Sequence, residues 1–221
     1  MLSPYESEHH EYIANKYSKE LDGFPLIDCS YPYALDEKSA SRLRKTFKLI
    51  RNLGDYQPRK KWLLDTYWTE LNRFYNDQTV KFEVLPEPLQ IGYAEDRVVF
   101  SGLERIAQLA TGKSANTFTF YRIGTGSNPV LPSDVGLHVE EASVNMDETG
   151  FAESKGSTMQ FAGIFPTNIP TMSISEAGIF DAKFDPSTLF LRTVYSGSNI
   201  INHQVNQTYI AISHIVYLIS V

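Results

Sequence analysis

The sequence predicts an α+β fold, with a mainly helical N-terminal region over residues 1–95. A capping helix and an antiparallel, jelly-roll-like β-sandwich follow over 96–221. Three observations carry this. Thirteen of the 20 Lys and Arg residues lie before residue 95, whereas ten of the 13 glycines lie after it. Helix caps and stops punctuate the first part, and from Asn116 the apolar period drops to two. Six β-rich runs then follow at short intervals with no helix-length segment between them, the mark of an antiparallel sandwich.

Asp36 caps a first helix running to about residue 53, with Leu43, Phe47 and Ile50 on one face and Gly54 as its stop. Pro58 suits the first turn of a second helix to about residue 75, whose Leu64, Tyr67, Trp68, Leu71 and Tyr75 keep helical spacing. Ser101 and Glu104 form a capping box for a third, which Gly112 ends. A further helix is expected over 7–19. A short strand is expected over 80–84, before a linker bracketed by Pro86 and Pro88. The sandwich strands are expected over 117–123, 137–146, 158–165, 171–180, 189–195 and 208–221. The last run is apolar on both faces, which suits a central strand covered twice or one buried against another subunit.

Composition narrows the function classes. With 42% hydrophobic and 21% charged residues the chain is an ordinary globular one. A net charge of −6 argues against a molecule that coats nucleic acid. The lone Cys29 permits no internal disulfide and no cysteine zinc site. No apolar run reaches the ~18–20 residues of a membrane helix, and the N-terminus lacks the pattern of a signal peptide. A soluble, unsecreted protein is expected.

Few motifs carry chemistry. Ala110-Thr111-Gly112-Lys113-Ser114 ends like a phosphate-binding loop, but position 107 is Ala and the segment closes a helix instead of opening one. Gly124-Thr125-Gly126 lacks the third glycine of a dinucleotide fingerprint. His9 and His10 are adjacent and cannot share a metal as an i, i+4 pair would. His214, between Ile212 and Val216, reads as a satisfied buried side chain. Glu140 and Glu141 face opposite sides of a strand and form no carboxylate pair. No catalytic, cofactor or metal site is expected.

Residues 38–61 hold nine basic side chains against the single acid Asp55. Arg44, Lys48 and Arg51 follow i, i+4, i+7 spacing beside the apolar stripe. Three readings stand: a solvated face, a docking surface for an acidic neighbour, and a nucleic-acid surface helped by Tyr56, Trp62 and Trp68. The docking reading is the expectation, with Arg44, Lys48 and Arg51 as its residues.

The second half carries a longer pattern. Tyr121-Arg122-Ile123-Gly124-Thr125-Gly126 is followed by Pro129, by Pro132-Ser133-Asp134 and by a strand at Leu137. Then come Ile174-Ser175-Glu176-Ala177-Gly178-Ile179-Phe180-Asp181-Ala182 and Leu189-Phe190-Leu191-Arg192-Thr193. Over about residues 118–221 this resembles virion proteins of tailed bacteriophages, of the tail-collar-fibre-like, neck and tail kind. The segment after Arg192 departs from the usual form, with Val194-Tyr195-Ser196-Gly197-Ser198 where a proline-containing stretch is common. The resemblance implies a non-enzymatic structural protein of the neck, tail or fibre-attachment region. Such a protein is made in the host cytoplasm, resides in the virion and self-associates into a ring or collar. Its partners are copies of itself and portal, neck, tail or fibre components, with nucleic acid a lesser alternative. A carbohydrate- or receptor-binding module on the same sandwich is the rival. The structural candidates are Gly124, Gly126, Glu176, Gly178, Phe180 and Arg192. Glu176 and Arg192 either form a charge-assisted bond or stand as two solvated charges.

Overall fold

The computed structural model describes residues 26–218 except 78, 80, 81, 156, 157 and 185, so the helix expected over 7–19 lies outside the described residues. The fold is α+β, with the helices packed on antiparallel sheets. Its central strand, β12 (Tyr209–Leu218), is paired antiparallel along both edges, by β1 (Leu26–Leu35) and by β7 (Thr158–Phe165). β6 (Phe151–Lys155) extends this first sheet beyond β7, while β2 (Gln90–Ile91) and β3 (Ala94–Arg97) share the outer edge of β1. The second sheet has the order β10 (Leu189–Val194), β9 (Glu176–Phe180), β4 (Phe120–Gly124), β5 (Glu140–Asn145). A ribbon of β8 (Met172–Ile174) and β11 (Ile201–His203) stands apart.

Two cores follow from the two-residue period of β12. Ile210, Ile212 and Val216 point toward the second sheet and pack with Phe161, Phe165, Tyr121, Ile123 and Ile179. Ala211, Ile215 and Tyr217 point the other way, toward α1 (Glu37–Asn52) and α2 (Pro58–Asn76). There Phe47 and Tyr67 meet Phe151 edge to face, and Trp68 Nε1 donates to Gln160 Oε1 at 3.0 Å. The doubly apolar strand is therefore covered within one chain, by helices on one side and a sheet on the other. No second subunit is needed to cover it.

The helical expectations hold at both long helices: Asp36 accepts from Ser39 N, and Pro58 is the first residue of α2. The third differs. α3 (Phe100–Ala110) has Val99 as its N-cap, and Ser101 Oγ donates to Leu189 O, so the hydroxyl anchors the helix to β10 instead of capping it. Its end is as expected, with Gly112 at a φ of 67°. The run 171–180 is split into β8 and β9, and residues 82–84 form no strand.

The largest difference is β1. It belongs to the first part of the chain yet lies inside the main sheet, so the change near residue 95 separates compositions and not cores. Pro32 hides it, because a proline argues against an interior strand. The structure accommodates Pro32 at the break between β2 and β3: its carbonyl accepts from Gly92 N on that side, and the missing N–H faces the same gap.

His214 crosses between the sheets, its Nδ1 bonded with Tyr121 Oη at 2.9 Å and its Nε2 with Thr193 Oγ1 at 3.0 Å. Burial pushes its pKa down to about 3. An unfolded histidine titrates near 6.5, so on acidification the unfolded chain takes up a proton that the fold refuses. Stability conferred by neutral His214 is complete above about pH 6.5 and is lost as pH falls toward 3. The denaturant midpoint is expected to drop between pH 7 and pH 5, and His214→Leu to flatten that drop. An equal drop in the variant would assign the titration to another group.

Candidate functional site

The outer face of the second sheet gathers the motif residues. Because Ala177 and Ile179 point into the sandwich core, Glu176, Gly178 and Phe180 point outward on β9. Gly178 is paired with Arg122 of β4 on one side and with Arg192 of β10 on the other, which puts both guanidinium groups on that face. The connection from β4 to β5, residues 125–139, folds back over it. Val130 and Leu137 from this loop pack against Val99, Phe180 and Leu189.

Glu176 is wholly buried and its carboxylate is the hub. Oε1 accepts from Gly126 N at 3.0 Å and from Val139 N at 2.7 Å; Oε2 accepts from His138 N at 3.1 Å and from Arg192 Nε at 2.8 Å. Both ends of the loop are thus clipped to one side chain. Arg192, also wholly buried, reaches the middle of the loop, with Nη1 3.1 Å from Asp134 Oδ2 and 3.4 Å from Pro129 O. Asp134 Oδ2 in turn accepts from Leu131 N. Burial raises the Glu176 pKa, but the Val139 and His138 amides and then Arg192 outweigh it and hold the carboxyl below the usual range. A buried charge costs several kcal/mol unless paired and hydrogen-bonded, and here every contact that offsets this cost also orders the loop.

The glycines fit this arrangement. A Cβ on Gly126 would stand 2.4 Å from Glu176 Oε1, and one on Gly124 would stand 2.0 Å from Val139 O. Gly178 lies under the Leu137 side chain, which a Cβ would meet at 3.0 Å. At Gly178 the role is close approach, since the irregularity of that ladder falls in β10 between Leu189 and Leu191; a second register shift, against β5, falls at Gly124. Phe180 carries the guanidinium of Arg122 at 4.0 Å from its ring centroid. Arg122 also pairs with Glu140 at 2.9 Å and donates to Ala182 O and Ser187 Oγ. Asp181, beside Phe180, pairs with Arg105 of α3 at 2.8 Å.

All six structural candidates therefore meet at one place, and Glu176 and Arg192 form the charge-assisted bond. Sequence reasoning missed Arg122 and Asp134 as members. The available signal was an arginine flanked by apolar neighbours in a strand, at 122 as at 192. The outer face of this sheet is also covered by the chain's own loop.

The basic candidates are not brought together in this way. Arg51 donates from Nη1 to Met146 O and Gly150 O, tying α1 to the short α4 (Met146–Thr149). Arg44 lies over the Tyr209 ring at 4.4 Å. Lys48 is exposed on α1. Arg44 and Arg51 thus reach neighbours within the fold, while Arg44 and Lys48 stay exposed on the helix.

Chemically the site is a clamp. No group of three or more His, Cys, Asp or Glu side chains able to hold a metal occurs among the described residues. No described helix is long and apolar enough to cross a membrane. The loop exposes the apolar side chains of Leu131, Val135 and Val139 among polar Ser127, Asn128, Ser133 and His138. Compared with protein-family models, curated proteins and solved structures, the chain matches none.

Three substitutions test the clamp. Glu176→Ala and Arg192→Ala should each cost about 3–5 kcal/mol, since each leaves a buried charge unpaired. The double variant should cost clearly less than both losses combined, measured by denaturant unfolding; additive losses would remove the pair from the account. Gly126→Ala should cost about 1–3 kcal/mol by forcing the Glu176 carboxylate away. A neutral result there would mean that the loop is not clamped at its start.

Proposed function

We propose that the protein is a non-enzymatic structural component of a tailed-bacteriophage virion. It belongs to the neck, tail or fibre-attachment region and acts by self-association into a ring or collar. One observation carries the reading: the residues that resemble those virion proteins converge on a clamp that holds a loop still. Glu176, Arg192 and Asp134 bond one another and loop backbone, an arrangement that serves rigidity. A loop held still before it meets a partner loses less conformational entropy on docking. Its exposed Leu131 and Val135 are the kind of surface that protein contacts use.

The carbohydrate-binding alternative draws less support. Sugar sites stack rings in a groove, whereas Tyr56 and Trp62 stand on and beside the turn between α1 and α2. A groove at the start of α1, lined by Asp36, Arg42, Pro86 and Leu89 among others, carries no aromatic ring.

Mass spectrometry of purified particles should find the chain in multiple copies per virion, and a glycan array probed with the isolated protein should stay blank. Absence from the particles, or specific submillimolar sugar binding, would overturn the reading.

A further inference from the structure

Beside single exposed apolar side chains such as Leu89 and Phe184, the described residues show two larger exposed apolar features. The first is the clamped loop, where Leu131 is 54% and Val135 77% exposed. The second is the turn after α1, where Tyr56 is fully exposed and Trp62, in the second turn of α2, is about half exposed at 48%. They lie at opposite ends of the hairpin β4–β5. The loop starts beside the Gly124–Glu140 pairing, whereas the turn follows Arg51, which bonds the carbonyls of Met146 and Gly150 just past the Phe120–Asn145 pairing.

Their rims differ in sign. Residues 123–145, the loop and its hairpin strand, contain three acids, Asp134, Glu140 and Glu141, and no Lys or Arg, and Glu141 is exposed beside Val139. Around the turn, Lys48, Arg59 and Lys61 are exposed. Tyr, Trp and Arg are the residues that most often dominate binding at protein interfaces. Asp55 and Glu153 sit beside this surface, both paired with Lys60, and they interrupt any track that a phosphate backbone would follow.

Resting on the structural reading above, we propose that the protein binds a second copy of itself head to tail. The Tyr56–Trp62 tip of one copy seats on the Leu131–Val135 loop of the next, with the basic rim against the acidic one. Such a contact uses different patches on the two partners, so it repeats, closing into a ring where the rotation allows. The clamp then has a purpose within assembly: it presents the receiving half in a fixed shape.

The test uses the full chain and sedimentation velocity. Wild type should associate with rising concentration. A loop variant, Leu131→Asp with Val135→Asp, and a tip variant, Tyr56→Ser with Arg59→Glu and Lys61→Glu, should each weaken association about 30-fold or more. Mixed together, the two should form a dimer and stop there, because one intact loop and one intact tip remain. Far-UV circular dichroism checks their folding, and Val135→Ser and Tyr56→Ser replace any variant that fails it. A monomeric wild type, unaffected variants, or a mixture without dimer would overturn the proposal. So would a loop variant that loses association while the tip variant keeps it, which means a loop-to-loop contact. A tip variant that loses duplex-DNA retention but keeps its oligomers would assign the tip to nucleic acid. Copies found in virions alongside a monomeric wild type would sink this contact alone; oligomers without virion copies would sink the virion role alone.

Discussion

A strand that is apolar on both faces has to be covered twice, and β12 imposes that condition on the whole chain. Its inward residues demand a second sheet, and its outward residues demand α1 and α2. The three-layer order of helices, sheet and sheet is the solution that one chain of this length can supply. β1 completes it by pairing along the other edge of β12, which leaves the central strand with no free backbone edge. Everything placed on the second sheet, the clamp included, has its position because that sheet is pressed onto β12.

The clamp uses a costly interaction for a local purpose. Ion pairs buried this deeply seldom add stability over an apolar replacement, so their value lies in geometry. Glu176 spans both ends of a long connection and Arg192 its middle, through contacts that only this loop path provides. Fifteen residues without regular structure would ordinarily be mobile. Here they form a defined surface with apolar side chains facing out.

The same chain treats its cations in two ways. Arg51, Arg44 and Lys60 are drawn into contacts with the carbonyls of Met146 and Gly150, the ring of Tyr209 and the carboxylate of Glu153. Those near the turn between the helices remain at the surface with Tyr56. A basic run in sequence is thus divided by which neighbours lie within reach of each cation.

By itself the sequence determined the fold class, both long helices from Asp36 and Pro58, and most sandwich strands, because caps, stops and a two-residue period are local signals. It also placed Gly124, Gly126, Glu176, Gly178, Phe180 and Arg192 in one pattern. Only the tertiary structure decided why those residues belong together: Glu176 and Gly126 are 50 positions apart, and their contact exists only once the loop folds back. It alone placed β1, whose Pro32 is tolerable only opposite a gap between two edge strands. It alone divided the basic run, since periodicity shows which face of a helix a cation shares but not which neighbour lies within its reach.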